Sequence, residues 1–259
     1  GVARPRIVSV ALIRDRYKGR AMAQVMSFVM AVFMLVPIIA PALGQGILLF
    51  AGWRAIFGVY LGLALITLTW VVVRQPETLA PNQRIPFSLR RIVMGIREVL
   101  ANRISIGYTV AAGLVLGAFL GYLNSAQQIF QEQYGLGKLF PLFFAVLAFS
   151  FGCASLLNAR LVMRYGMRRL ATWAALTNGT VSIIFFVIAY LLAGYPPLWA
   201  LMVFFLIVFF GIGLLFGNLN ALAMEPLGHI AGVGAAVVGA LTTTISLLLG
   251  ILIGQSYNG

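Results

Sequence analysis

Few side chains in this sequence are equipped for chemistry, and their spacing limits what that chemistry is. Five acids and one histidine serve all 259 residues. Glu225 and His229 stand four apart in "MEPLGH". A histidine titrates near neutral pH, but a polar turn offers no barrier to move a proton across, so the two read as structural. The single cysteine, Cys153, supports neither a disulfide framework nor a thiolate metal site and reads as a small core residue. What remains are amides. Asn124, Gln127, Gln128 and Gln131 recur at i, i+3, i+4 and i+7 on one helical face, and Asn218 and Asn220 sit toward one end of a later apolar run. Amides hold a solute by hydrogen bonds and transfer nothing. A membrane-embedded enzyme needs clustered His, Asp or Glu ligands, or a nucleophile with its base, and this set supplies neither.

The elements that must carry these amides follow from composition. The chain is 62% hydrophobic and 9% charged, with a mean hydropathy of +1.02, whereas a soluble domain is about a quarter charged. Runs without a charged side chain cover 21–52, 55–73, 104–131, 139–159, 170–224 and 226–259. A spanning helix needs about 20 apolar residues, so 170–224 holds two spans, divided at "AGYPPLW" (193–199). Seven full spans result, an all-α polytopic bundle. Residues 1–13 are apolar apart from Arg4 and Arg6 and too short to cross, and they read as the tail of a helix whose beginning precedes residue 1. A stripe of amides facing lipid is expensive, so 124–131 is expected to face the interior of the bundle.

The net charge of +13 is explained by its distribution. Alternate connections, at 14–20, 74–103, 158–169 and 225–230, hold fourteen of the eighteen basic residues, while the opposite connections hold Arg54 and Lys138. That is the positive-inside pattern, which makes the basic loops cytoplasmic and leaves no call for nucleic acid. The one long polar connection, 74–103, begins with three prolines and continues with Phe87, Leu89, Ile92, Val93, Ile96, Val99 and Leu100 at roughly helical spacing. It is expected to form a basic amphipathic helix at the cytoplasmic interface. The expected organisation is a truncated half-bundle over 1–73, a linker over 74–104, and a second half-bundle over 105–259.

One span carries helix breakers. In "FMLVPIIAPALGQGILLF" (33–50), Pro37 and Pro41 each delete a backbone hydrogen bond, and Gly44 and Gly46 let another backbone approach. Pro37, Pro41, Gly44 and Gln45 share one face, so a kinked, thin-sided helix is expected to meet one partner and act as a pivot.

These stretches, in their order, resemble the major facilitator superfamily of transporters, and within it the drug:proton antiporters of the bicyclomycin-resistance (Bcr/CflA) branch. "ALIRDRYKGRAMAQVMS" is similar to the end of that family's fourth helix and the start of its fifth. The breaker stretch resembles the antiporter motif, with Ala40-Pro41 for its Gly-Pro and Gly44-Gln45 for its Gly-Gly. "GWRAIF" (52–57) and "PETL" (76–79) fall where the sixth helix starts and the central linker begins. "LFGNLNALAMEPLGHIAGVGAAVVGAL" (215–241) is similar to the tenth and eleventh helices. "ARLVMRYGMRRL" (159–170) resembles a degenerate loop signature in which Arg164, Gly166 and Arg168 match while Ala159, Met163 and Met167 depart.

The resemblance implies a partial twelve-helix fold, about the fourth to the eleventh helices, in a bacterial inner membrane. It implies proton-driven efflux of drugs or other small amphipathic compounds by alternating access, as a monomer with membrane lipid, protons and a small-molecule substrate as partners and no cofactor beyond the proton gradient. It assigns gating to Pro37, Pro41, Gly44, Gln45 and Gly46, and gives Arg14 and Asp15 a place in a cytoplasmic gate. Arg6 lies about two turns deeper than Arg14, where a charge faces a cavity or a partner, and joins Asn124, Gln127, Gln128, Asn218 and Asn220 as a pathway candidate. No carboxylate falls deep in the spans, so on this reading the coupling acid belongs to helices before residue 1. The alternative is a transporter of the same fold for one specific metabolite.

Overall fold

The structure is a computed structural model, and it describes residue 40, residues 43–74 and residues 88–255. Every element among the described residues is helical. The chain divides into two compact units between Phe87 and Ser88, inside the segment expected to be a linker.

In the first unit a helical stretch covers 43–50, and helix α1 spans Arg54–Arg74. At 1.5 Å per residue α1 is about 30 Å long, the thickness of a bilayer's hydrocarbon core. Its ends carry the charges. The Arg54 guanidinium lies 4.6 Å from the Trp53 ring centroid and that of Arg74 lies 5.8 Å from the Trp70 ring, and such pairs suit the membrane–water boundary. Between them, the hydroxyls of Thr67 and Thr69 donate to the Leu63 and Leu65 carbonyls at 2.8 Å, so the span satisfies its own polar groups.

The second unit holds α2 (Leu89–Ala101), α3 (Arg103–Gln127), α4 (Phe140–Tyr165), α5 (Met167–Leu191), α6 (Leu198–Met224) and α7 (Ala231–Gln255). Among the described residues, α1 and α3–α7 are the helices long and apolar enough to cross a membrane. The remaining expected span, 21–52, lies mostly outside them.

Local chemistry sets the joints. Asn102 caps α3, its side-chain oxygen accepting from the Ile104 and Ser105 amides at 3.1 and 3.0 Å, which separates α3 from α2. Gly166 alone joins α4 to α5, at φ 78°, a value an L side chain adopts only under strain. The break expected near 195 occurs: α5 ends at Leu191, and the extended Pro197 starts α6.

α6 is the hub. It packs against α3, α4 and α5, while α7 runs along α3. Three apolar clusters fill the unit. Ala112, Ala154, Ala171 and Ala174 interleave with Leu214, Leu215, Leu219 and Leu222 in one. Tyr122, Phe130, Leu147, Leu201 and Phe209 form an aromatic second. Val99, Ala223, Leu227 and Val238 bind α2 to the turn between α6 and α7. Because successive helices alternate in direction, Arg103, Arg160, Arg164, Arg168 and Arg169 share one end.

Candidate functional site

The amides of α3 are placed by what the rest of α3 does. Gly113, Gly117 and Gly121 recur every fourth residue and face Ile245, Leu249 and Ile253, which recur likewise on α7. A Cβ built on these glycines would fall 2.8, 2.8 and 2.7 Å from those side chains. Glycine is therefore the residue that lets the two helices approach so closely. On a neighbouring face, the Tyr122 ring lies edge-on to Phe205 and Phe209, at 5.0 and 4.8 Å, and stacked with Phe144 at 6.1 Å, distances at which aromatic pairs attract.

With those faces taken, Asn124, Gln127 and Gln128 are exposed on the unit, and Gln131 is half-buried. They stand outside the packed interior of this unit. Asn124 Nδ2 donates to the Gly250 carbonyl at 3.3 Å, and Gln127 Nε2 donates to Gln131 Oε1 at 3.3 Å. From Gln128 to Gln133 the backbone widens into a π-helix, which changes the face on which residues after Gln128 emerge, and such turns recur at functional sites.

The segment that follows is tied down. Tyr134 Oη donates to the Pro196 carbonyl at 2.5 Å and Gln133 Nε2 to the Gly194 carbonyl at 3.2 Å. Burial raises the Tyr134 pKa above its usual 10.0, so the phenol stays a donor at neutral pH.

The second amide group takes a different position. Asn218 is buried, and its Nδ2 donates to Asn158 Oδ1 at 2.7 Å and to the Leu214 carbonyl at 2.9 Å, joining α6 to α4. Asn220 Nδ2 donates to the Phe216 carbonyl at 2.8 Å within its own helix. Nearby, Ser150, Ser155 and Asn178 donate to the Leu206, Gly213 and Val208 carbonyls of α6. This group does the work of interhelical hydrogen bonding.

Of the other sequence candidates, Gly44, Gln45 and Gly46 are half-buried in the 43–50 helix. A Cβ on either glycine would meet nothing within 4 Å, so the close partner expected for this face is not formed among the described residues. Pro37, Pro41, Arg6, Arg14 and Asp15 lie outside the described residues. His229 does not pair with Glu225; its Nε2 lies 2.5 Å from Glu98 Oε1 on α2.

Sequence reasoning passed over Asn158, Asn178 and the aromatic cluster. The glycine period of four on α3 was a readable signal for its seam, whereas nothing local announces that Asn158 meets Asn218. Among the described residues no group of His, Cys, Asp or Glu is arranged to hold a metal.

Against this geometry stand the comparisons with known proteins. The sequence profile of the Major Facilitator Superfamily matches residues 6–252. The "Uncharacterized MFS-type transporter YdgK" of Bacillus subtilis is 28% identical over 257 residues, covering 96% of this chain and 62% of that protein. The "Bicyclomycin resistance protein homolog" of Haemophilus influenzae is 28% identical over 258 residues, 97% of this chain and 63% of that protein. The "Multidrug resistance protein MdtL" of Escherichia fergusonii is 25% identical over 134 residues, 51% of this chain and 33% of that protein. The chain thus spans a little under two thirds of the length of the first two relatives.

Proposed function

The chain belongs to the Major Facilitator Superfamily, and from that premise we propose that it carries out secondary active transport, exporting small amphipathic compounds by alternating access in exchange for inward-moving protons. The observation that carries this reading is the exposed row Asn124, Gln127 and Gln128 on a helix long and apolar enough to span a membrane. Hydrocarbon is a poor environment for three amides, so their face of α3 borders a polar path. The direction of transport rests on relatives named for bicyclomycin and multidrug resistance and on the antiporter-like stretch at 37–46.

In this mechanism the two halves rock about a central site. Asn124, Gln127 and Gln128 offer donors and acceptors to the solute. Pro37, Pro41, Gly44, Gln45 and Gly46 form the pivot, Arg14 and Asp15 belong to the cytoplasmic gate, and Arg6 lines the path. The end bearing Arg103, Arg160, Arg164, Arg168 and Arg169, with α2, faces the cytoplasm of a bacterial cell. Asn218 ties α6 to α4 rather than holding solute, and the Asn220 amide is engaged within its own helix. No acid lies within the described spans between their ends, so the coupling carboxylate is sought elsewhere in the protein.

Efflux of a fluorescent dye from cells expressing the protein tests the proposal. The expected result is export that a protonophore stops and that Gln127→Leu slows at least about tenfold, the scale of one lost charge-free hydrogen bond. Movement of one metabolite only, with no dye efflux, would overturn export in favour of a specific carrier.

A further inference from the structure

We infer that the outward side of α2 is a seat for anionic phospholipid headgroups. The roll of this helix is fixed by its packing. Val99 is fully buried against the turn between α6 and α7, Ile92 is half-buried, and a Cβ on Gly95 would fall 2.5 Å from Val233 Cγ1 on α7. Glu98, the one carboxylate on the helix, is held by His229. The apolar stripe legible in the sequence is therefore divided: Ile92 and Val99 turn toward the protein, and Leu89, Val93, Ile96 and Leu100 remain exposed at 67, 61, 37 and 51%.

Those four follow one another at i, i+4, i+7 and i+11, a single face of a helix that cannot roll to hide it. Beside them stand Arg90 and Arg97, also exposed and making no ion pair among the described residues. Arg103, exposed at the start of α3, extends the row. An apolar stripe flanked by free guanidinium groups is matched by the boundary of a bilayer, with acyl chains against the stripe and phosphates against the arginines. The helix packs at the first turns of α7, the level at which that boundary lies for a spanning bundle. With Glu98 engaged by His229, Arg90 and Arg97 outnumber the one carboxylate on this helix, which selects anionic over zwitterionic lipid. This inference requires that the protein span a membrane and is independent of what it transports.

The test places Val93→Cys in a Cys153→Ser background and reconstitutes the protein in nanodiscs of phosphatidylcholine, alone or with phosphatidylglycerol. The readout is the rate constant for alkylation by iodoacetamide extrapolated to full ionisation of the thiol, because the thiolate is the nucleophile and an anionic surface lowers its population. Phosphatidylglycerol should slow alkylation by about 25-fold, two arginines at roughly fivefold each. The slowing should vanish in Arg90→Gln/Arg97→Gln, survive in Arg90→Lys/Arg97→Lys, and fade in the unaltered arginine pair at about 1 M salt, where screening acts within roughly 3 Å. Equal rates in the two lipids would overturn the inference. So would slowing that persists in the glutamine variant, or protection in every lipid, which would mean that protein covers the stripe.

Discussion

Two seams in the second unit are opened by the same residue for opposite purposes. Along α3, Gly113, Gly117 and Gly121 make room for the aliphatic side chains Ile245, Leu249 and Ile253. Along α6, Gly211 and Gly213 make room for polar atoms: a Cβ on Gly211 would fall 2.0 Å from Asn178 Oδ1, and one on Gly213 would fall 2.6 Å from the Phe151 carbonyl oxygen. The first seam packs helix backbone against aliphatic side chains, with Asn124 bonded to the Gly250 carbonyl at its end. The second is laced by Ser150, Ser155, Asn158 and Asn178. Lipid removes the hydrophobic drive between helices, leaving close packing and hydrogen bonds as the means of association, and this unit uses one in each seam.

The contrast can be broken by substitution. Gly213→Ala should be the most damaging, because its new methyl meets backbone that cannot rotate away; about 3 kcal/mol is expected, the upper end for overpacking, read as loss of folded protein in a detergent denaturation series. Gly117→Ala should cost about 2 kcal/mol and be repaired largely by Leu249→Gly, since the nearest obstacle is the Leu249 Cβ, which an alanine there would keep; absence of repair would show that the backbones, not the side chains, set the spacing. Asn218→Leu should cost about 1 kcal/mol, and a double-mutant cycle with Asn158→Leu should return a coupling near 0.6 kcal/mol, the average for such bonds in membranes. A zero coupling would remove the polar seam's claim to be bonded rather than merely filled.

Much of the fold was legible because lipid imposes a rule that acts on single segments. Span length, the break before Pro197 and the placing of arginines at one end depend on local composition. Partners are another matter. The glycines of α3 and α6 look alike in sequence, and only the helix opposite decides whether each admits an isoleucine or an amide. Glu225 stands four residues from His229 in the sequence, yet it is Glu98 that reaches the histidine, across 131 residues. The amide row was readable as a row, but the π-helix at Gln128–Gln133 has no signature in composition, and it alters the face on which Gln131 emerges. The apolar stripe of α2 was visible as amphipathic; the division of its six residues from Leu89 to Leu100 between protein and exterior was not, because periodicity gives the width of an apolar face and says nothing of how many surfaces share it.

The lone Gly166 between α4 and α5 fixes a length as well as a bend. Neighbouring Cα atoms are about 3.8 Å apart, so at the arginine-bearing end these two helices are riveted together and have no slack. At their far ends α4 and α5 each join a longer connection. The pair is built like scissors: any change in its opening must be made at the tips, with the arginines riding on the rivet.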